Sequence, residues 1–146
     1  MSRFIWLHED CLRATHPVFA HAPQARAVFI WDDAYMDAMH YGLKRRVFIY
    51  ETLCDLPVEI YAGDTIDTWR ALQNMAGASD IITGKTPNPA LKAIMQTLRE
   101  GLQITAIADA PFVHLDAAKD DAGQLRRFFK YWNKAKKNAF LYDGRP

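Results

Sequence analysis

Five short apolar runs, each closed by polar residues or glycine and each separated from the next by a segment of helical period, constrain this chain more than any single residue does. They occupy residues 3–7, 27–31, 58–62, 80–83 and 102–107. Strand-length apolar runs alternating with helices are the pattern of a parallel sheet covered on both faces. The fold class predicted is therefore α/β: a doubly wound, five-stranded, Rossmann-like parallel sheet with helices on both faces and an amphipathic helix at the C-terminal end.

The intervening helices announce their ends. Asn88-Pro89 offers an N-cap followed by a proline at the first helical position, where the missing N–H costs nothing; Leu91, Ile94, Met95 and Leu98 then form one apolar stripe before Gly101. Asp64 caps the preceding helix, Ile66, Trp69 and Leu72 point inward, and Gly77 ends it. A longer helix through Leu43, Val47, Tyr50 and Cys54 joins the second strand to the third.

A chain of 146 residues, half of them hydrophobic, fits one domain with a full core. No internal repeat or linker divides it, so residues 1–120 read as the α/β domain and 121–146 as a basic, aromatic helix and tail packed on it. Net charge is +1, which excludes neither nucleic acid nor acidic partners but advertises neither. The distribution is uneven. Six of the 18 basic residues (Arg126, Arg127, Lys130, Lys134, Lys136, Lys137) lie between Ala122 and Tyr142 with no acid among them.

Cys11 and Cys54 carry no metal-ligand spacing and are too few for a disulfide scaffold, so reduced thiols are expected. No apolar run approaches the ~18 residues of a membrane span. A cytoplasmic, soluble protein is the expectation.

In a doubly wound sheet, ligands sit outside the carboxyl ends of the strands where the strand order reverses. The loops at residues 8–13, 32–33, 63–64 and 83–88 are therefore the candidate site. His8, Glu9, Arg13, Trp31, Asp32, Asp33, Gly63, Asp64, Thr83, Gly84 and Lys85 are its candidate residues. Asp32-Asp33 suits acceptor bonds to a ribose hydroxyl or a fused ring, and equally suits a helix cap. Trp31 suits the core better than a stacking surface, and Lys85 with Thr83 would complete a polar rim. Arg13 and Arg46 with Glu51 are expected to form an ion-pair network.

Other chemistries fit poorly. Gly84-Lys85-Thr86 imitates the end of a phosphate-binding loop, but Ser79 stands where a glycine is needed and Pro87 and Pro89 block the helix. His8-Glu9-Asp10 are adjacent on an extended chain and point apart, so no metal site is predicted. His16 and His114 have no partner that spacing identifies, and no catalytic residue is assigned.

On the tail, Leu125, Phe128, Phe129 and Trp132 share one helical face while Arg126, Lys130, Lys134 and Lys137 share another. Solvated charges are the preferred explanation over nucleic-acid binding by Arg126, Arg127, Lys130, Lys134 and Trp132. The aromatics Phe128, Tyr131, Trp132, Phe140 and Tyr142 also suit a homodimer seam or docking to a separate helical subunit.

Several segments carry a further signal. Residues 4–17 read as an apolar strand ending in Trp6-Leu7, then Asp10-Cys11-Leu12-Arg13 and Pro17; residues 27–32 read Ala-Val-Phe-Ile-Trp-Asp; residues 44–56 hold Arg46 before Phe48-x-x-Glu51-x-Leu53-x-x-Leu56; residues 60–64 end in Gly63-Asp64; residues 128–135 are Phe-rich around Trp132. Together they resemble the N-terminal α/β domain of the photolyase/cryptochrome family along roughly the whole chain. His8-Glu9 stands where that family usually has an Arg-containing pair, and residues 83–89 lack its usual Asn, aromatic and Glu.

The resemblance implies a domain that holds a small aromatic or nucleotide-like ligand, such as a pterin- or deazaflavin-like antenna chromophore. The family's FAD belongs to a helical domain with no counterpart in these 146 residues. FAD and light-driven repair by this chain alone are thus not expected. An interaction or accessory subunit of a photolyase-type or nucleic-acid complex is the alternative.

Overall fold

Alternate residues of the first apolar run enter two different cores, which only a strand buried on both faces allows. Phe4 and Trp6 cluster with Val28, Ile30, Trp69, Ile81, Leu91 and Met95. Ile5 and Leu7 cluster with Val18, Phe29, Ile49, Leu53 and Ile82. The computed structural model describes residues 2–110 and 128–139. It places β1 (Ser2–Leu7), β2 (Arg26–Trp31), β3 (Glu59–Ala62), β4 (Ala78–Gly84) and β5 (Gln103–Ile107) in one sheet of order β3-β2-β1-β4-β5, with every pairing parallel. The order reverses between β1 and β4, so the predicted doubly wound α/β architecture stands.

Helices cover both faces. α1 (Pro17–His21), α2 (Asp33–Ala38) and α3 (Leu43–Cys54) supply one core, and α4 (Thr65–Ala76) and α5 (Pro89–Leu98) the other. Asp64 Oδ1 accepts the Asp67 N–H at 2.9 Å, and Gly77 ends α4 in the left-handed region (φ 65°), which glycine enters without a Cβ penalty. Asn88 Oδ1 accepts the Ala90 N–H at 2.9 Å with Pro89 opening α5. Both helices bury the stripes their spacing predicts.

α3 does not bury the residues that mark it in the sequence. Ile49 and Leu53 are its buried pair, while Leu43 (78%), Val47 (44%) and Tyr50 (54%) face solvent and Cys54 is exposed. Two apolar stripes run along this helix, and the sheet accepts only one of them.

The chain divides into two units, Met1–Asp109 and Ala110–Pro146. In the second, α6 (Phe128–Ala139) is a helix with Phe129 exposed, Tyr131 and Trp132 half-buried, Ala135 buried, and Lys136 Nζ donating to Asn133 Oδ1 at 3.3 Å. Lys130, Trp132 and Lys134 thus lie on a helix. Arg126, Arg127, His114, Leu125, Phe140 and Tyr142 lie outside the described residues.

Candidate functional site

At the reversal between β1 and β4 the first loop closes tightly against the end of β4. His8 is buried and sits edge-on to the Trp6 ring; its Nδ1 accepts the Asp10 N–H at 3.2 Å, so the proton lies on Nε2, which donates to the Gly84 carbonyl at 2.9 Å. The neutral ring fastens loop to strand. Cys11 Sγ lies 3.3 Å from both the N–H and the carbonyl of His8, and burial pushes its thiol up to about 11. A Cβ on Gly84 would lie 2.9 Å from Cys11 Cβ and 3.1 Å from His16 Cε1. Glycine is required there by clearance.

His16, buried, caps α1 by accepting the Val18 N–H at 3.3 Å. Burial lowers the pKa of its imidazolium below the ordinary value, partly offset by Asp109 3.9 Å away. Arg13 donates to Asp109 Oδ1 at 2.5 Å and to Thr15 Oγ1. Arg46 pairs with Asp33 and Asp37, and Glu51 joins neither cluster, which corrects the predicted Arg13–Arg46–Glu51 network. Glu51 leaves α3 on a different side from Arg46, five residues earlier on a 3.6-residue turn.

At the end of β2 the structure gives each candidate a partner within the protein. Asp32 is buried; Oδ1 accepts the Tyr35 N–H at 2.9 Å, and Oδ2 accepts both the N–H and the hydroxyl of Thr65 at 2.8 Å. One carboxylate thereby caps α2 and anchors the start of α4. Asp33 accepts from Trp31 Nε1 and Arg46, and Trp31 packs between Phe29 and Tyr50. Gly63 donates its N–H to the Trp31 carbonyl at 3.0 Å with φ 145°, and Asp64 is the cap of α4. Thr83 is fully buried and donates to the Trp6 carbonyl.

Glu9 is placed differently. Its Oε1 accepts the Tyr35 hydroxyl at 2.5 Å and the Tyr41 hydroxyl at 2.9 Å, and Asn88 Nδ2 donates to Tyr35 at 2.9 Å. Burial, reinforced by the Glu9 carboxylate, raises both phenols above their ordinary value, so both remain protonated donors. Asp10 accepts the Thr86 hydroxyl beside them. This polar ridge joins the loop after β1, the α2 region and the cap of α5.

A cleft of about 300 Å³ opens beside the ridge, between the first loop and α3. Glu9, Asp10, Arg13, Arg45, Phe48 and Ile49 line it. The Arg45 guanidinium lies 4.2 Å over the Tyr41 ring, and Phe48 is 66% exposed. A second cleft of about 440 Å³ is lined by Lys85, Thr86, Lys92, Gln96 and Arg99. Of the sequence-predicted residues, Glu9 and Arg13 thus share one cleft, Lys85 opens on another, and Asp32, Gly63 and Asp64 line neither. A wider cleft of about 740 Å³ includes Ser2, Arg3 and Arg26, at the amino ends of the strands and away from the reversal.

Tyr35, Tyr41, Arg45 and Phe48 were not singled out as site residues by the sequence. Arg45 and Phe48 do belong to the stretch 44–56 that carries the photolyase resemblance, which is the one signal that marked them. Among the described residues no group of three His, Cys, Asp or Glu can hold a metal ion. None of the described helices is long and apolar enough to cross a membrane.

The sheet order and the crevice at its reversal define a Rossmann-like α/β domain. No protein-family model matches the chain, and no curated protein matches it.

Proposed function

We propose that this chain is a photolyase-like α/β domain that binds a small, planar aromatic or nucleotide-like ligand in the cleft between the first loop and α3. The carrying observation is the lining itself: one exposed aromatic ring, two guanidinium groups and two carboxylates around about 300 Å³ at the carboxyl ends of the strands. Phe48 offers a stacking face, Arg13 and Arg45 attract an anionic substituent, and Glu9 and Asp10 accept from ring N–H or ribityl hydroxyl groups. A pterin- or deazaflavin-like chromophore or a nucleotide has these features. The role proposed is ligand carriage, with flavin photochemistry left to other protein.

Retention is the test. Protein purified from its own host should carry a bound chromophore seen by absorbance and mass spectrometry, or the apo chain should bind added folate, deazaflavin or adenine nucleotide by fluorescence titration. Phe48→Ala and Arg45→Ala should each weaken binding about tenfold or more, while Lys85→Ala leaves it unchanged. A chain that retains and binds none of these ligands refutes the reading.

A second reading, an interaction or accessory subunit docking through its C-terminal aromatics, is favoured by Phe129, 74% exposed on α6. Truncation after Asp121 would abolish assembly if it holds and leave ligand binding intact.

A further inference from the structure

We infer that the outward stripe of α3 is a self-association surface on which two copies of this chain pair with their α3 helices antiparallel. Leu43, Val47, Tyr50 and Cys54 recur at spacings of four, three and four residues, the rhythm of the apolar seam between two packed helices. All four are exposed. They are a consequence of α3 carrying a second apolar face after Ile49 and Leu53 have been given to the core.

Charge beside the stripe selects the partner and its direction. With Leu43, Val47, Tyr50 and Cys54 as the seam, Lys44 and Glu51 occupy the equivalent flanking position one heptad apart. Both are exposed, and among the described residues neither is ion-paired. In an antiparallel pair of identical helices this position meets its own counterpart, so Lys44 lies opposite Glu51 of the partner subunit and Glu51 opposite Lys44 of the partner subunit. Symmetry makes each bond twice. A parallel pair would instead set the basic end, Lys44-Arg45-Arg46, against itself. The seam centres between Val47 and Tyr50, with Leu43 facing Cys54 of the partner subunit.

The ligand cleft is spared. Arg45, Phe48 and Ile49 leave α3 on the flank opposite the stripe, as the 100° step between helical residues requires. Three turns of helix bury little area, so the dimer is weak and concentration-dependent. The inference does not rest on the ligand proposed above.

Sedimentation equilibrium of the full chain, from low micromolar to near-millimolar protein, reads it directly. The mass should climb towards twice that of the chain, and Val47→Glu should hold it monomeric while leaving the thermal melt unchanged. Lys44→Glu and Glu51→Lys should each weaken the dimer by about tenfold, since each turns two attractions into repulsions, and the double swap should restore it to within about threefold. Register has its own readout. Under mild oxidation Leu43→Cys should give a disulfide-linked dimer, whereas the native chain should not link through Cys54, whose two copies lie about 16 Å apart along an antiparallel seam. A monomer at every concentration overturns the proposal. So does a dimer indifferent to Val47→Glu but lost on truncation after Asp121, a double swap that fails to restore, or ready linkage through Cys54 in the native chain.

Discussion

The two faces of the sheet are closed to different degrees. On one, α4 and α5 present a single apolar stripe each, and Trp69 is fully buried with edge-on contacts to Phe4 and Trp6, each with centroids 6.1 Å apart. On the other, α3 gives Ile49 and Leu53 to the core and keeps Leu43, Val47, Phe48 and Tyr50 at the surface. The closed face is a scaffold and the open face is the more exposed one, one flank of α3 bordering the cleft beside the first loop and the other carrying the proposed self-pairing seam. The run of exposed apolar residues on α3 is informative here because α4 and α5 bury their apolar stripes, with Met75 near the end of α4 the exception.

That contrast can be tested by mutation. The largest effect should come from the closed face: Trp69→Ala should cost about 3–5 kcal/mol in denaturant unfolding, because the void cannot collapse between two strands and two helices. Among the described residues its buried indole N–H has no partner. Trp69→Phe should therefore cost under about 1.5 kcal/mol, losing area but relieving that donor. A small Trp69→Ala effect would break the scaffold assignment.

Asp32 joins the faces and comes next. Asp32→Ala should cost about 2–3 kcal/mol by the same measurement, since it strips a cap from α2 and leaves the Thr65 N–H without its acceptor. A neutral outcome would mean that water replaces the carboxylate at both helix starts.

A smaller effect is set by protons at the open face. Burial lowers the folded-state pKa of His16 below its unfolded value near 6.5, so the unfolded chain binds the extra proton first. Stability is then full above that value and falls as pH drops below it. Unfolding curves at pH 7.5 and 5.5 should show the loss, and His16→Asn, which keeps an oxygen for the Val18 N–H, should reduce the slope. An unchanged slope would assign the pH dependence to other groups.

The smallest effect belongs to the outward stripe of α3. Val47→Ser should change monomer stability by less than about 0.5 kcal/mol. A destabilisation above about 1 kcal/mol would show that this stripe contacts the core after all.

What could be foreseen from the sequence follows the range of the interaction. α4 and α5 were legible end to end because Asp64, Gly77, Asn88 and Pro89 act on backbone within a few residues of themselves. The phase of α3 was not, since Leu43-Val47-Tyr50-Cys54 and Ile49-Leu53 are both acceptable stripes and only the neighbouring strands decide between them. The same limit applies to the site. Glu9 is marked by its place after β1, but Tyr35 and Tyr41 lie 26 and 32 residues away and meet it only because β2 and the segments after it fold alongside. Asp32, by contrast, could be read as a cap from its own segment, while its second task, holding Thr65, depends on β3 lying next to β2. The basic residues Lys85, Lys92 and Arg99 are scattered over 15 positions in sequence and border one cleft only in space.

Gly84 turns the reversal of the sheet into a question of thickness. With 2.9 Å between its missing Cβ and Cys11, the end of β4 has room for a hydrogen atom and nothing more. The outer rim of the first loop is tied elsewhere, Glu9 to Tyr35 and Tyr41, Asp10 to Thr86 and Arg13 to Asp109. The seat beneath it cannot change: an added methyl group would act as a wedge, lifting the loop with His8 and His16 from the strand and disturbing the end of β4, beyond which Lys85 and Thr86 border their cleft.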